Sequence, residues 1–163
     1  MKVFGVVGFK NTGKTGLMER LVSDITARGL SVSTIKHAHH SFDVDHAGKD
    51  SYRHRAAGAA QVLLASGTRW ALMSELRGAQ EPDLSALLAR LDPVDLVLIE
   101  GYKTNDHPKL ETYRGVTQGA LLARTDPRIL AVATDTDLVL TQPQFDLDDT
   151  RGIADFILAQ VGL

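Results

Sequence analysis

Residues 8–15 read Gly8-Phe9-Lys10-Asn11-Thr12-Gly13-Lys14-Thr15, and they match the phosphate-binding pattern G-x-x-x-x-G-K-[ST] at every fixed position. An apolar run, VFGVVG, leads in, and an amphipathic segment, GLMERLVSDITARG, leads out. The motif therefore sits between a strand and a helix, the context that confirms it. Gly8 and Gly13 let the backbone curl so that successive N–H groups point at phosphate oxygens. Lys14 brings a point charge on a flexible stem to the β- and γ-phosphates, and Thr15 offers a hydroxyl to Mg²⁺. The helix that opens here aims its positive end at the same place. Phe9, Lys10, Asn11, Thr12 and Gly16 complete a predicted nucleotide-binding segment. A glycine-rich turn matching by chance has no reason to fall between a strand and a helix.

Composition narrows the class. A chain of 163 residues fits one domain of ordinary size, spanning 1–163. Hydrophobic residues at 44% and charged residues at 23% are those of a soluble globule. A net charge of −2 gives no steering toward nucleic acid or an anionic membrane. No run approaches the ~20 apolar residues of a membrane span. Met1-Lys2 leads straight into a core strand, so no signal peptide is expected. There is no cysteine, so disulfides and thiolate metal sites are excluded. The expectation is a cytoplasmic protein.

Strands and helices alternate along the chain. Lys2–Val7 is the first predicted strand, and Gly13–Arg28 is a helix with Leu17, Leu21 and Ile25 on one face. LSVSTIK is a second strand, followed by a polar loop from His37 to Gly48 and a short helix in KDSYRHRAAGA. QVLLAS and RWALMSE form a strand pair across Gly67-Thr68, and PDLSALLARL is a helix with Asp83 near its start. VDLVLIEG is an unbroken apolar strand that suits a central parallel position. PKLETYRG alternates apolar and polar residues and reads as an exposed or edge strand. RILAVATD is another buried run, and a helix closes the chain. The fold class is α/β: a P-loop NTPase with a doubly wound, mostly parallel sheet and helices on both faces.

Phosphate-loop proteins bring a carboxylate to the metal or the attacking water from a second strand. DLVLIEG ends on Glu100 and Gly101, at the sheet edge where ligands bind in such folds. Glu100 is the candidate catalytic and metal-holding carboxylate, and Gly101 lets a backbone N–H approach a phosphate. Asp95 starts that strand and so lies at the far edge. The segment KHAHHSFDVDHAGKDSYRHR holds His37, His39, His40, His46 and His54 with Asp43, Asp45, Asp50, Lys36, Lys49, Arg53 and Arg55. His39 and His40 are adjacent and point apart if extended, which is poor geometry for chelation. Asp50 is a further candidate for the metal. Arg53 and Arg55 either meet phosphates or pair with the nearby aspartates, and a solvated mixed-charge loop accounts for the same composition. No NKxD string is present to read guanine. Asp135, at the end of RILAVATD, can accept from both N1–H and N2–H of guanine; Asp137 is the alternative, and a plain strand-end turn accounts for the residue equally well.

With these pieces placed, the chain resembles the MobB family of molybdopterin-guanine dinucleotide biosynthesis adapter proteins. The resemblance rests on GFKNTGKT, on IKHAHHSFDVDHAGKDSYRHRAAGA, on RWALMSE, and on DLVLIEGYK followed by PKLE. It implies a GTP-binding protein using Mg²⁺, commonly a homodimer, that works beside the guanylyltransferase joining GMP to molybdopterin and hydrolyses GTP weakly. Molybdopterin itself is a further candidate partner. The family's phosphate loop falls on Gly8–Thr15 and its acidic strand end on Glu100-Gly101. Two departures stand out: Ala47 where the family commonly has proline, and Phe9 where some dimerising relatives carry an extra lysine.

Two other classes use the same loop. A small-molecule kinase needs an arginine-rich lid, for which only Arg53–Arg55 is available. A metallochaperone GTPase would account for the histidines but is poorly served by a chain without cysteine. The alternating strand around Lys109–Tyr113 offers a free edge on which a homodimer is expected.

Overall fold

A computed structural model describes residues 1–38, 42–117 and 119–163. Its contacts gather into two compact units, Met1–His37 with Leu88–Leu163, and Ala38–Leu87.

The larger unit is built on a six-stranded sheet in the order β2-β5-β1-β6-β7-β8. The strands are β1 (Lys2–Val7), β2 (Val32–Lys36), β5 (Leu96–Glu100), β6 (Lys109–Tyr113), β7 (Ile129–Thr134) and β8 (Gln144–Asp146). Every pairing is parallel. The expected α/β fold is therefore present. The chain winds from β1 to β2 on one side and reaches β6 on the other, so the direction of winding reverses at β1, where ligands bind in open sheets.

Helices α1 (Lys14–Ala27) and α4 (Thr150–Val161) pack together on one face of this sheet. The four-residue spacing of Leu17, Leu21 and Ile25 turns one stripe of α1 onto Phe4, Val6, Leu96 and Leu98, as helical periodicity requires. Ile153, Ala154, Ile157 and Leu158 do the same for α4. Phe156 meets Phe4 edge-on at 6.5 Å, a favoured aromatic geometry. Asp149 caps α4 by accepting from the Gly152 N–H at 3.0 Å, which satisfies one of the orphan donors of the first turn. On the opposite face, Val7, Ala123, Ile129 and Val132 form a smaller cluster beneath the 3₁₀ turn Leu122–Arg124.

One strand differs from its sequence reading. PKLETY is not an exposed edge: β6 lies between β1 and β7, and Lys109–Thr112 are buried. Its alternation comes from polar side chains that find partners inside. Glu111 accepts from the N–H groups of Leu122 and Ala123 at 3.0 and 2.8 Å, and Lys109 donates to Asn105 O and lies 3.6 Å from Asp126. Buried polar groups are tolerated where they are satisfied in this way. No free edge for a second chain exists at this strand.

The smaller unit holds α2 (Asp50–Ala56) and an antiparallel hairpin of β3 (Gln61–Ala65) and β4 (Trp70–Ser74). Arg55 organises it, pairing with Asp45, Asp43 and Glu75. Those bonds, Asp45 first, hold the guanidinium above its ordinary range. The short α3 (Leu84–Leu88) follows, with the Asp83 carboxylate accepting from the Ala86 N–H at 2.7 Å.

His107 creates a pH dependence. Both ring nitrogens are buried without a hydrogen-bond partner among the described residues, and the ring lies where a Cβ on Gly5 would stand. Burial pushes this imidazole down to about 4, with Lys109 and Arg128 adding to the effect and Asp106 and Asp126 opposing it. The unfolded chain takes up that proton near 6.5. Stability is therefore full above about 6.5 and falls as pH drops toward about 4. The urea midpoint should decline over that window, and His107→Gln should flatten the decline; parallel declines in both proteins would place the sensitivity elsewhere.

Candidate functional site

The phosphate loop connects β1 to α1 at the C-terminal edge of the sheet. Gly8 has φ +144°, and a Cβ there would lie 2.5 Å from Thr112 O, so only glycine lets the loop leave β1 beside β6. Thr12 is buried and locks the turn: its hydroxyl donates to Phe9 O at 2.9 Å and shares a 2.7 Å hydrogen bond with the Thr112 hydroxyl. No side chain caps the N-terminus of α1 at Gly13. The first amides of a long helix thus face the loop mouth, an arrangement that attracts anions.

Besides the exposed Lys10, the lysines Lys14, Lys36 and Lys103 stand at the loop. Lys14 Nζ donates to Phe9 O at 2.6 Å, and Lys103 Nζ stands 4.4 Å from the Phe9 ring centre. Burial lowers the Lys14 ammonium from its ordinary value, Glu100 opposes this, and Lys103 and Lys36 add to it. Lys36 ends β2, and its Nζ lies 3.2 Å from Glu100 Oε1 and 3.4 Å from Thr15 Oγ1. Thr15 Oγ1 itself donates to Glu100 Oε1 at 3.2 Å.

The hydroxyl and carboxylate that the sequence assigns to Mg²⁺ therefore converge, and an ammonium group already lies against both. Hard oxygen donors of this kind fit Mg²⁺. Lys36 was visible in the sequence only as one basic residue among several; its role depends on β2 pairing directly with β5.

The other predicted residues are distributed as follows. Glu100 is nearly buried at the end of β5, and the Gly101 N–H donates to Val6 O at 3.1 Å, so a phosphate contact from that amide has to compete with this bond. Asp95 lies at the opposite end of β5, accepting from the Ser31 N–H and hydroxyl. Asp135 follows β7, and its Oδ1 accepts from the Gly115 N–H at 2.9 Å. Together with Asp137, Gln144 and Phe145 it lines a cleft of about 520 Å³ beyond β7 and β8. Lys10, Asn11 and Gly16 are exposed around the loop. Asp50 belongs to the smaller unit, where its exposed carboxylate stands 3.8 Å from Arg53. Arg55 pairs with aspartates, the second of the two roles its sequence context allowed. His39 and His40 lie outside the described residues.

Arg114 is a residue the sequence did not single out. It follows β6 directly and, with Asn11, Gly13, Lys14, Thr15 and Gly16, lines a cleft of about 380 Å³ at the loop.

Residues 3–135 match the model of MobB, described as molybdopterin guanine dinucleotide synthesis protein B. The chain belongs to this family. The molybdopterin-guanine dinucleotide biosynthesis adapter protein of Escherichia coli (strain K12) is 42% identical over 153 residues, covering 92% of this chain and 87% of that protein. The adapter protein of the same name from Haemophilus influenzae is 39% identical over 155 residues, covering 95% and 86%. Among solved structures, Bacillus subtilis MobB superposes with a TM-score of 0.78 at 27% identity, over 99% of this chain and 98% of that one. A MobB homologue from Bacillus stearothermophilus gives 0.74 at 28% identity, over 99% of each chain. The family resemblance read from the sequence and the expected fold are both borne out.

Thr12→Val should cost about 1–3 kcal/mol, since it removes a buried hydroxyl with two partners at nearly constant shape. Denaturant unfolding measures it. A cost near zero would mean the loop is held by its backbone alone.

Proposed function

We propose that this protein binds GTP with Mg²⁺ in the Gly8–Thr15 loop and acts as an adapter to the guanylyltransferase of molybdopterin guanine dinucleotide synthesis, with weak hydrolysis of its own. The observation that carries this reading is the convergence of Thr15, Glu100 and Lys14 on an uncapped helix N-terminus, in a chain of the MobB family. The family membership, and the adapter name carried by its relatives, support the place in the pathway.

Each group has a defined task. The free amides of α1 receive the phosphate chain, and Lys14 leaves Phe9 O to meet its outer oxygens. Thr15 and Glu100 would hold the metal, which would supply charge neutralisation to the phosphates. Lys36 has to withdraw from Glu100 as that happens. Asp135 is the proposed reader of the guanine edge, and its Oδ2 remains for a donor while Oδ1 holds Gly115. No glutamine follows Glu100-Gly101 to position water, which supports slow turnover and suits delivery or signalling more than bulk chemistry.

The test is synthesis of molybdopterin guanine dinucleotide by the reconstituted transferase at limiting GTP. Wild-type protein should stimulate it. Lys14→Ala should not, because losing the charge-assisted phosphate contacts costs about 30- to 1000-fold in GTP affinity. Absence of stimulation and of any complex with the transferase would overturn the adapter reading.

A homodimer is proposed on the hairpin instead of β6. Leu63, Leu64, Trp70 and Leu72 are exposed there, and a two-stranded sheet leaves edges that a second copy covers by strand addition. Trp70→Lys should convert a dimer to a monomer in sedimentation. A wild-type monomer would overturn the proposal.

A further inference from the structure

We propose that Arg114 grips the inner phosphates of the bound nucleotide from the flank of the loop opposite Glu100; this rests on the nucleotide reading above. The sheet order sets the geometry. β1 carries the loop, β5 delivers Glu100 on one side, and β6 delivers Arg114 on the other. A Cβ on Gly13 would stand 3.5 Å from an Arg114 Nη and 3.6 Å from its Nε. The guanidinium therefore lies over the turn from which the α1 amides project. The absence of a side chain at Gly13 keeps the intervening space open.

Two observations indicate that this placement serves a ligand. The Arg114 side chain is exposed and makes no ion pair or hydrogen bond with any other described residue; Arg69, Arg90, Arg124 and Arg151 share that trait, but of these arginines only Arg114 lines the cleft at the phosphate loop. Its backbone, in contrast, is held firmly. Arg114 O accepts from the N–H and the hydroxyl of Thr117 at 3.0 and 2.7 Å, and the next amide, Gly115, is bound by Asp135. Further along the same turn, Gly119 packs against the Phe9 ring, 3.2 Å from where its Cβ would be. A guanidinium free of protein partners but fixed at its root beside a phosphate loop is suited to bidentate anion binding.

The flank decides which phosphates it meets. Thr15 and Glu100 define the metal side, where the outer phosphates lie. Arg114 stands on the side of β6 and β7, toward the cleft at Asp135, so it meets the phosphates nearer the nucleoside. It is a positioning residue, and it does not supply charge at the bond that hydrolysis breaks.

Calorimetric titration with GTP and with GDP, for wild-type protein and the Arg114→Ala, Arg114→Lys and Lys14→Ala variants, tests this. Arg114→Ala should weaken GTP and GDP by the same factor, about 10- to 100-fold. Arg114→Lys should recover part of that loss, because it keeps the charge without the planar fork. Unchanged affinity in Arg114→Ala, with binding lost in Lys14→Ala, would overturn the role of Arg114 and leave the nucleotide reading standing. A loss confined to GTP would overturn the assignment to the inner phosphates. Wild-type protein that binds neither nucleotide would overturn the nucleotide reading itself. Because Arg114 holds no described protein partner through its side chain, thermal melting of the two Arg114 variants should match wild type.

Discussion

The pairing of β1 with a neighbour on each side is the constraint on which the site depends. Val6 stands opposite Glu100 in β5, and Val7 stands opposite Glu111 in β6. A parallel sheet places the C-terminal ends of its strands on one rim. That register therefore brings the loop, the Glu100 carboxylate and Arg114 to a single edge. A slip of one residue would turn Val6 away from α1 and move Glu100 to the other face, since strand side chains alternate.

The core keeps this register fixed. Phe4 and Val6 are completely buried against α1 and α4, and burying such side chains contributes about 1.5–3 kcal/mol each. The second face uses polar groups instead. Glu111 binds the amides of the 3₁₀ turn, and burial raises its carboxyl above the ordinary value while those amides oppose the rise. Thr112 bonds to Thr12 and so joins β6 to the loop. Much of the polar content of β6 thus holds up the site from below.

Lys14, Lys36 and Glu100 at the loop find partners within the protein. Lys36 answers Glu100, and Lys14 rests on Phe9 O. A nucleotide with its metal would replace both contacts, the cation taking the place of one ammonium and the phosphates drawing out the other. Arg114, like the exposed Lys10, has no internal side-chain partner among the described residues, and Arg114 lines the cleft at the loop.

The sequence by itself determined the loop, its strand and helix, the Glu100-Gly101 strand end and the MobB resemblance, because each is carried by local spacing or by a contiguous string. The Asp149 cap of the closing helix was seen only in the structure, but the helix itself and the hairpin at Gly67-Thr68 were legible for the same reason. Strand β8 was not, since three residues are too few to show a period. Strand β6 was misread because alternation records polarity and says nothing of where a polar group finds its partner. Glu111 is satisfied by amides 11 and 12 positions on, and Lys109 by Asn105 O four positions back and by Asp126 17 positions on. Lys36 and Arg114 reach the loop only through strand order, which sets β2 beside β5 and β6 beside β1. Strand order is a long-range property: it follows from how whole elements pack, and no local pattern in the chain encodes it.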